Sequence, residues 1–258
     1  QRGTLSWVFP ATFAVLHKLE GLQEESPEAR QYDFQLTRAL HRFRSWKDSS
    51  TRSLARDFES FILAKHGQLI NQWPGLADLV RFEKIELEVF YAQDEAIPRT
   101  HVDHLESLTR LSVEDLMMVR VIRPAYAEMH EFTCDVQSLV ESLRRDGELP
   151  DLTALSRGLT TICGRSITSL SPQWIRLDTA SRAAIDSIGL QTPVQLNDLA
   201  QAYVAALPGD PHRTDKATFQ DFFSRLTHWV RTVELNYAVE ITDEEFRTRG
   251  QSASAALR

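Results

Sequence analysis

The chain has 258 residues, 42% of them hydrophobic and 25% charged, with a formal net charge of −7. These are the proportions of an ordinary soluble globular protein, with core enough for one large domain or two modest ones. The negative charge, carried without long runs of one sign, excludes a general polyanion binder and an acidic disordered tail.

The uncharged stretch Gly3–Leu16 follows Arg2 and has the length of a signal-peptide core. Pro10 interrupts it and no small-residue cleavage site follows, so a signal peptide is not expected. The chain opens at Gln1, and the expectation is a missing or disordered true N-terminus, with Pro10 in the first turn of a helix. Phe13, Leu16, Leu19 and then Leu36, Leu40, Phe43 recur at three- and four-residue intervals, the period of a buried helical face. After a polar break at 46–51, one helix is predicted over Leu54–Ile70. Trp73-Pro-Gly75 then stops the chain and permits a new start.

The next helix, Leu76–Tyr91, carries the most informative local feature. At 100° per residue, Leu76, Val80, Leu87 and Phe90 share one stripe, with Glu83 in its middle. A carboxylate there needs a cation or several donors, because an unpaired buried charge is very costly. Glu83 is therefore expected to be a structural buried carboxylate. No second acid, histidine or nucleophile shares the stripe to make it catalytic.

After Ser112 the texture changes. Val119–Arg123 reads as a short strand ended by Pro124, and Tyr126–Arg145 as a helix. Leu159–Cys163 and Ile167–Leu170, extendable to Leu177, read as two strands joined by a tight turn at Gly164-Arg165. Asp178 or Thr179 can cap a helix containing Ala184, Ile185 and Ile188, ended by Gly189. Thr192-Pro193 opens a second helix, and Lys216–Val233 is a third. Glu234–Ile241 alternates as a half-buried strand, and the tail fraying after Arg247 is small and polar. The fold class expected is α+β, mainly helical. A helical domain over 1–112 is followed over 113–247 by a small antiparallel sheet with a winged-helix-like three-helix domain, and 248–258 is a frayed tail.

Dinucleotide, P-loop, nucleophile-elbow and zincin motifs are absent from the sequence. His101-Val-Asp103-His104 is the nearest approach to a metal cluster, but Asp103 and His104 sit at a predicted helix start, where capping is the ordinary use of Asp. No catalytic residue and no metal ligand is assigned. Cys134 and Cys163 lack CxxC spacing and suit unpaired, buried thiols in a reducing cytoplasmic compartment. No apolar run approaches the ~20 residues that span a bilayer, so no membrane contact is expected. The sheet and three helices raise a winged-helix DNA-binding regulator as the alternative. Between Trp174 and Glu245, however, six Lys or Arg face eleven Asp or Glu, the wrong balance for neutralising phosphates. No nucleic-acid partner is expected.

Leu54-Ala-Arg-Asp-Phe-Glu-Ser-Phe61-Ile-Leu63, Trp73-Pro-Gly-Leu-Ala-Asp-Leu-Val-Arg-Phe-Glu83 and Tyr91-Ala-Gln-Asp94 together resemble the HvfC-like family. In that family a phenylalanine-rich helix precedes a helix of P-x-L-A-D-L-A-R-x-E type. Trp7-Val-Phe-Pro10 and Val121-Ile-Arg-Pro124 resemble its other turns. The resemblance implies a non-catalytic subunit paired with a TIM-barrel, multinuclear non-haem iron oxygenase that modifies cysteines of ribosomally made precursor peptides. The iron belongs to the partner and no cofactor to this chain. Lys84, where the family usually has an aromatic residue, points to the 3-thiaglutamate-type branch over the methanobactin one. PqqD-like domains hold such peptides between a strand and a helix. The corresponding walls here are Ile167, Thr168, Ser169 and Leu170 on the strand, and Phe222, Arg225 and Trp229 on the helix. Arg225 and Trp229, four apart, are expected to face the peptide together.

Overall fold

Pro10, with its fixed φ and missing N–H, suits the first position of a helix, and the second helix of the chain begins there. In the computed structural model, residues 4–23, 25–44, 50–91, 111–121, 127–165, 171–188, 194–209 and 216–233 are described. The chain divides into two compact units, Gln1–Tyr91 with His130–Leu159, and Ala92–Met129 with Thr160–Arg258. The fold is α+β, mainly helical, with a small antiparallel sheet.

The first unit contains α1 (Thr4–Val8), α2 (Pro10–Leu19), α3 (Pro27–Phe43), α4 (Thr51–Lys65), α5 (Gly67–Gln72) and α6 (Gly75–Phe90). Ser26 caps α3 by accepting from Ala29 N, and Ser50 caps α4 through Ser53 N. The single helix expected over Leu54–Ile70 is two helices. His66, at φ −115° and ψ 31°, ends α4 and precedes α5, with Gly67 just after it. Phe9 and Phe13 pack on Phe58 at centroid distances of 4.6 and 5.9 Å, which fixes α2 against α4. Gly75 opens α6 because a Cβ there would lie 2.3 Å from the ring of the buried Trp73.

α6 is buried more widely than its predicted stripe. Leu79, Phe82, Ile85 and Val89 are buried along with Leu76, Val80 and Glu83. Phe90, expected on the buried stripe, is 55% exposed and lies edge-on to Tyr91. The buried face at this end of α6 is carried by Ile85 and Val89 instead.

After the short α7 (Val113–Met117), the helix predicted over Tyr126–Arg145 is replaced by two elements. A strand, β2 (Met129–Phe132), comes first, and α8 (Val136–Asp146) follows it. Asp135 caps α8 at Ser138 N, and Gly147, at φ 70°, closes it in the left-handed conformation that glycine adopts without strain. The sequence texture suggests one boundary at 112, but His130–Leu159 joins the first unit. Its anchor is Asp78, described below, together with packing of α8 on α6.

In the second unit, β3 (Leu159–Arg165) pairs antiparallel with β4 (Pro172–Arg176), with Ile162 opposite Ile175 and Gly164 opposite Gln173. Gly164 and Arg165 are therefore strand residues, not the tight turn expected. β1 (Arg120–Val121) pairs with β5 (Val194–Gln195). The helices are α9 (Thr179–Ser187), capped by Asp178 at Ser181 N, α10 (Leu196–Ala205) and α11 (Lys216–Val233). α10 starts later than Thr192-Pro193 implied. Leu196 N donates to Val119 O at 2.8 Å, so strand pairing continues up to the first helical residue. α9 and α10 pack together, and α11 packs on β4 and α10 around Ile175, Leu199, Tyr203, Phe222 and Trp229. Residues 122–126 and 189–193, the alternating strand predicted over 234–241 and the tail after it lie outside the described residues.

Candidate functional site

α6 holds two buried carboxylates, and each closes a different part of the first unit. Glu83 is 4% exposed. Its Oε1 accepts from Ala11 N at 2.8 Å. Its Oε2 accepts from Thr12 N at 2.9 Å and from Thr12 Oγ1 at 2.7 Å.

Two of these donors, Ala11 N and Thr12 N, are orphan groups of a helix N-terminus. Phe9, the residue before α2, offers no side-chain cap. Pro10 has no N–H, and Phe13 N already bonds to Phe9 O. Ala11 N and Thr12 N complete the first turn, and Glu83 takes both. A carboxylate 71 residues away in sequence thus does the work of a local cap. The expectation of a buried Glu83 needing a cation or several donors is met by donors alone. Burial pushes its carboxyl from about 4.5 up to about 7, against the pull of the three donors, with Glu86 adding a smaller upward push.

Asp78, in the first turn of the same helix, is 9% exposed. Its Oδ2 accepts from Thr133 N and Thr133 Oγ1, both at 2.6 Å, and from Cys134 N at 3.2 Å. This clasp holds the corner between β2 and α8. Arg81 donates to Glu131 O and lies over the Phe132 ring at 4.6 Å, so the same helix holds the end of β2 as well as the corner that follows it. Sequence reading missed Asp78 and Thr12. Asp78 looks like an ordinary first-turn acid, and nothing local marks Thr133 as its partner or Thr12 as that of Glu83. Replacing Asp78 with alanine orphans the buried Cys134 N–H and removes the acceptor of the N–H and hydroxyl of Thr133, an exposed residue. The expected loss is about 2 kcal/mol of stability, read from a urea midpoint.

The residues expected to line a peptide groove divide differently. Ile167, Thr168, Ser169 and Leu170 lie outside the described residues. Phe222 is fully buried and Trp229 is 2% exposed, so Trp229 points into the core of the second unit and not outward. It stands edge-on to Phe222 at 6.4 Å, and Phe222 in turn packs on Tyr203 at 5.5 Å. Arg225 is engaged within the fold. It donates to Asp178 Oδ2 at 2.7 Å, to Asp221 Oδ2 at 3.1 Å and to Ser181 Oγ at 3.2 Å, and its guanidinium lies 5.8 Å from the Tyr203 ring. Tyr203 donates its hydroxyl to Asp221; burial, then this bond, raises its phenol above the ordinary range. Arg225 and Trp229 do not form a shared outward face. The half-buried apolar side chains of α11 are Phe219, Phe223 and Leu226, on the flank away from Arg225.

Cys134 and Cys163 are both buried thiols outside any disulfide. Among the described residues no three His, Cys, Asp or Glu side chains group to hold a metal, and no helix is long and apolar enough to cross a membrane. His101, Asp103 and His104 lie outside those residues. His17, which has no partner at ligand spacing in sequence, bonds through Nε2 to Asp33 at 2.7 Å. No protein-family model matches the chain, and no curated protein matches it.

Proposed function

We propose that this chain is a non-catalytic partner subunit. It binds a ribosomally made precursor peptide and presents the peptide's cysteine to a multinuclear non-haem iron TIM-barrel oxygenase of the 3-thiaglutamate type. One observation carries the reading. The acids of the Leu76-Ala-Asp78-Leu-Val-Arg81-Phe-Glu83 run are buried clasps that each close a segment of the first unit. A run whose acids are required by the fold is a structural signature, and that gives weight to the family resemblance it carries. The function follows from that resemblance, and the iron resides in the partner.

The peptide is placed on the second unit, whose strand-and-helix layer of β4 and α11 we take to be winged-helix-like. The half-buried flank of Phe219, Phe223 and Leu226 offers the apolar contact an extended peptide needs for specificity. Co-expression with a multinuclear non-haem iron TIM-barrel oxygenase of this type should yield a stable heterodimer, and the dimer should bind the precursor peptide. Phe219→Ala with Leu226→Ala should weaken peptide binding about tenfold, the scale of one modest apolar anchor, while the heterodimer persists. Absence of any complex with the barrel enzyme would overturn the reading. Unchanged peptide affinity in the double variant would move the peptide elsewhere on the chain.

A further inference from the structure

Glu83 is a buried titratable group for which peptide presentation has no use. It sits in contact with three donors and no cation. The charges on the elements around it are otherwise engaged. On α6 itself, Glu86 is paired with Arg144 of α8 at 2.6 Å, and Lys84 is paired with Glu59 of α4. Glu141 of α8 accepts from Gln137 at 2.7 Å. On α2, His17 is turned to Asp33, and Lys18 reaches Pro150 O at 3.2 Å. Arg144, paired with Glu86, is within electrostatic reach of Glu83 but not in contact with it, and burial, the helix donors and the Glu86 charge set the Glu83 titration.

We propose that Glu83 and Thr12 form a proton-operated latch, in which gain or loss of one proton at the Glu83 carboxyl sets how firmly α2 is held on α6. The ionised carboxylate can accept from all three donors. The protonated carboxyl must itself donate, and neither Ala11 N–H nor Thr12 N–H can accept. Only the Thr12 hydroxyl can reverse its role, turning from donor to Oε2 into acceptor from it. Thr12 is thus the positioning residue that lets one cap serve both states.

The direction follows from burial. In the docked state the carboxyl holds its proton up to about pH 7, and in the undocked chain only to about 4.5. Below 4.5 both states are protonated and the latch is at its strongest. As pH rises from 4.5 to 7 the undocked state releases a proton the docked state still holds, so docking weakens, and above 7 it levels off.

The test uses the full chain and amide hydrogen exchange at Ala11, Thr12, Val15 and Leu16, corrected for intrinsic rates. Protection in wild type should fall by roughly two orders of magnitude between pH 4.5 and 8. In Glu83→Gln it should stay level over that range. The Glu83 carboxyl carbon, followed by NMR in the wild-type chain, should titrate near 7 and not near 4.5, a readout that needs no variant. Thr12→Val removes the hydroxyl that favours the ionised form and should move that midpoint upward; a merely structural threonine would leave it in place. A wild-type midpoint near 4.5, or the same pH profile in wild type and Glu83→Gln, would overturn the latch.

Discussion

Glu83→Ala lowers the stability of the chain by about 3 kcal/mol, the sum expected when one buried acceptor is removed from three donors that no water reaches. Two of those donors are backbone N–H groups at the start of α2, and a lost helix cap alone costs about 1 kcal/mol. Losing the Glu83 side chain also leaves a void between α2 and α6, which adds a packing cost. At the size of this chain the thermal midpoint should fall by roughly 6–12 °C. Glu83→Gln keeps the volume and one carbonyl acceptor but turns an amide N–H₂ toward donors, so its loss should be smaller than that of alanine. A melting curve for Glu83→Ala indistinguishable from wild type would show that the carboxylate does not hold the α2 terminus.

The parts of the fold that were legible in the sequence are those set by local chemistry. The period of Leu36 and Leu40, Asp178 before Thr179 and Pro10 at a helix start all concern residues within a turn or two of one another. Glu83 was legible as buried because a carboxylate inside an apolar stripe has few alternatives. Its partners were not, since Thr12 is 71 residues away. The same distance problem hid Asp78 and its grip on Thr133, and with it the return of His130–Leu159 to the first unit. Helix capacity over Tyr126–Arg145 was read correctly from α8 onward. Pairing and the Asp78 clasp decide the stretch before it, and neither leaves a local mark. Trp229 turns inward, away from the face expected for it, for a geometric reason. Residues four apart are separated by about 40° around a helix, which is close enough to share a face and wide enough to straddle the rim of a core.

Trp229→Ala measures that rim. Trp229 lies inside, at 2% exposure, in an aromatic chain that runs through Phe222 to Tyr203. Arg225 lies at the edge, its guanidinium 5.8 Å from the Tyr203 ring and bonded to Asp178, Asp221 and Ser181. Removing the indole deletes the largest fully buried side chain among the described residues of the second unit, where α11 meets α10 and β4. The expected cost is about 3–5 kcal/mol, the range for Trp or Phe truncation in a packed core. Arg225→Ala should cost about 1 kcal/mol or less, because a half-exposed ion pair is screened by water and salt. Its effect should shrink further in high salt, while that of Trp229→Ala should not. Urea titrations of both variants at low and high salt make the comparison. If Arg225→Ala proves the more damaging, or Trp229→Ala leaves the midpoint in place, then the indole faces outward and α11 presents the face the sequence first suggested.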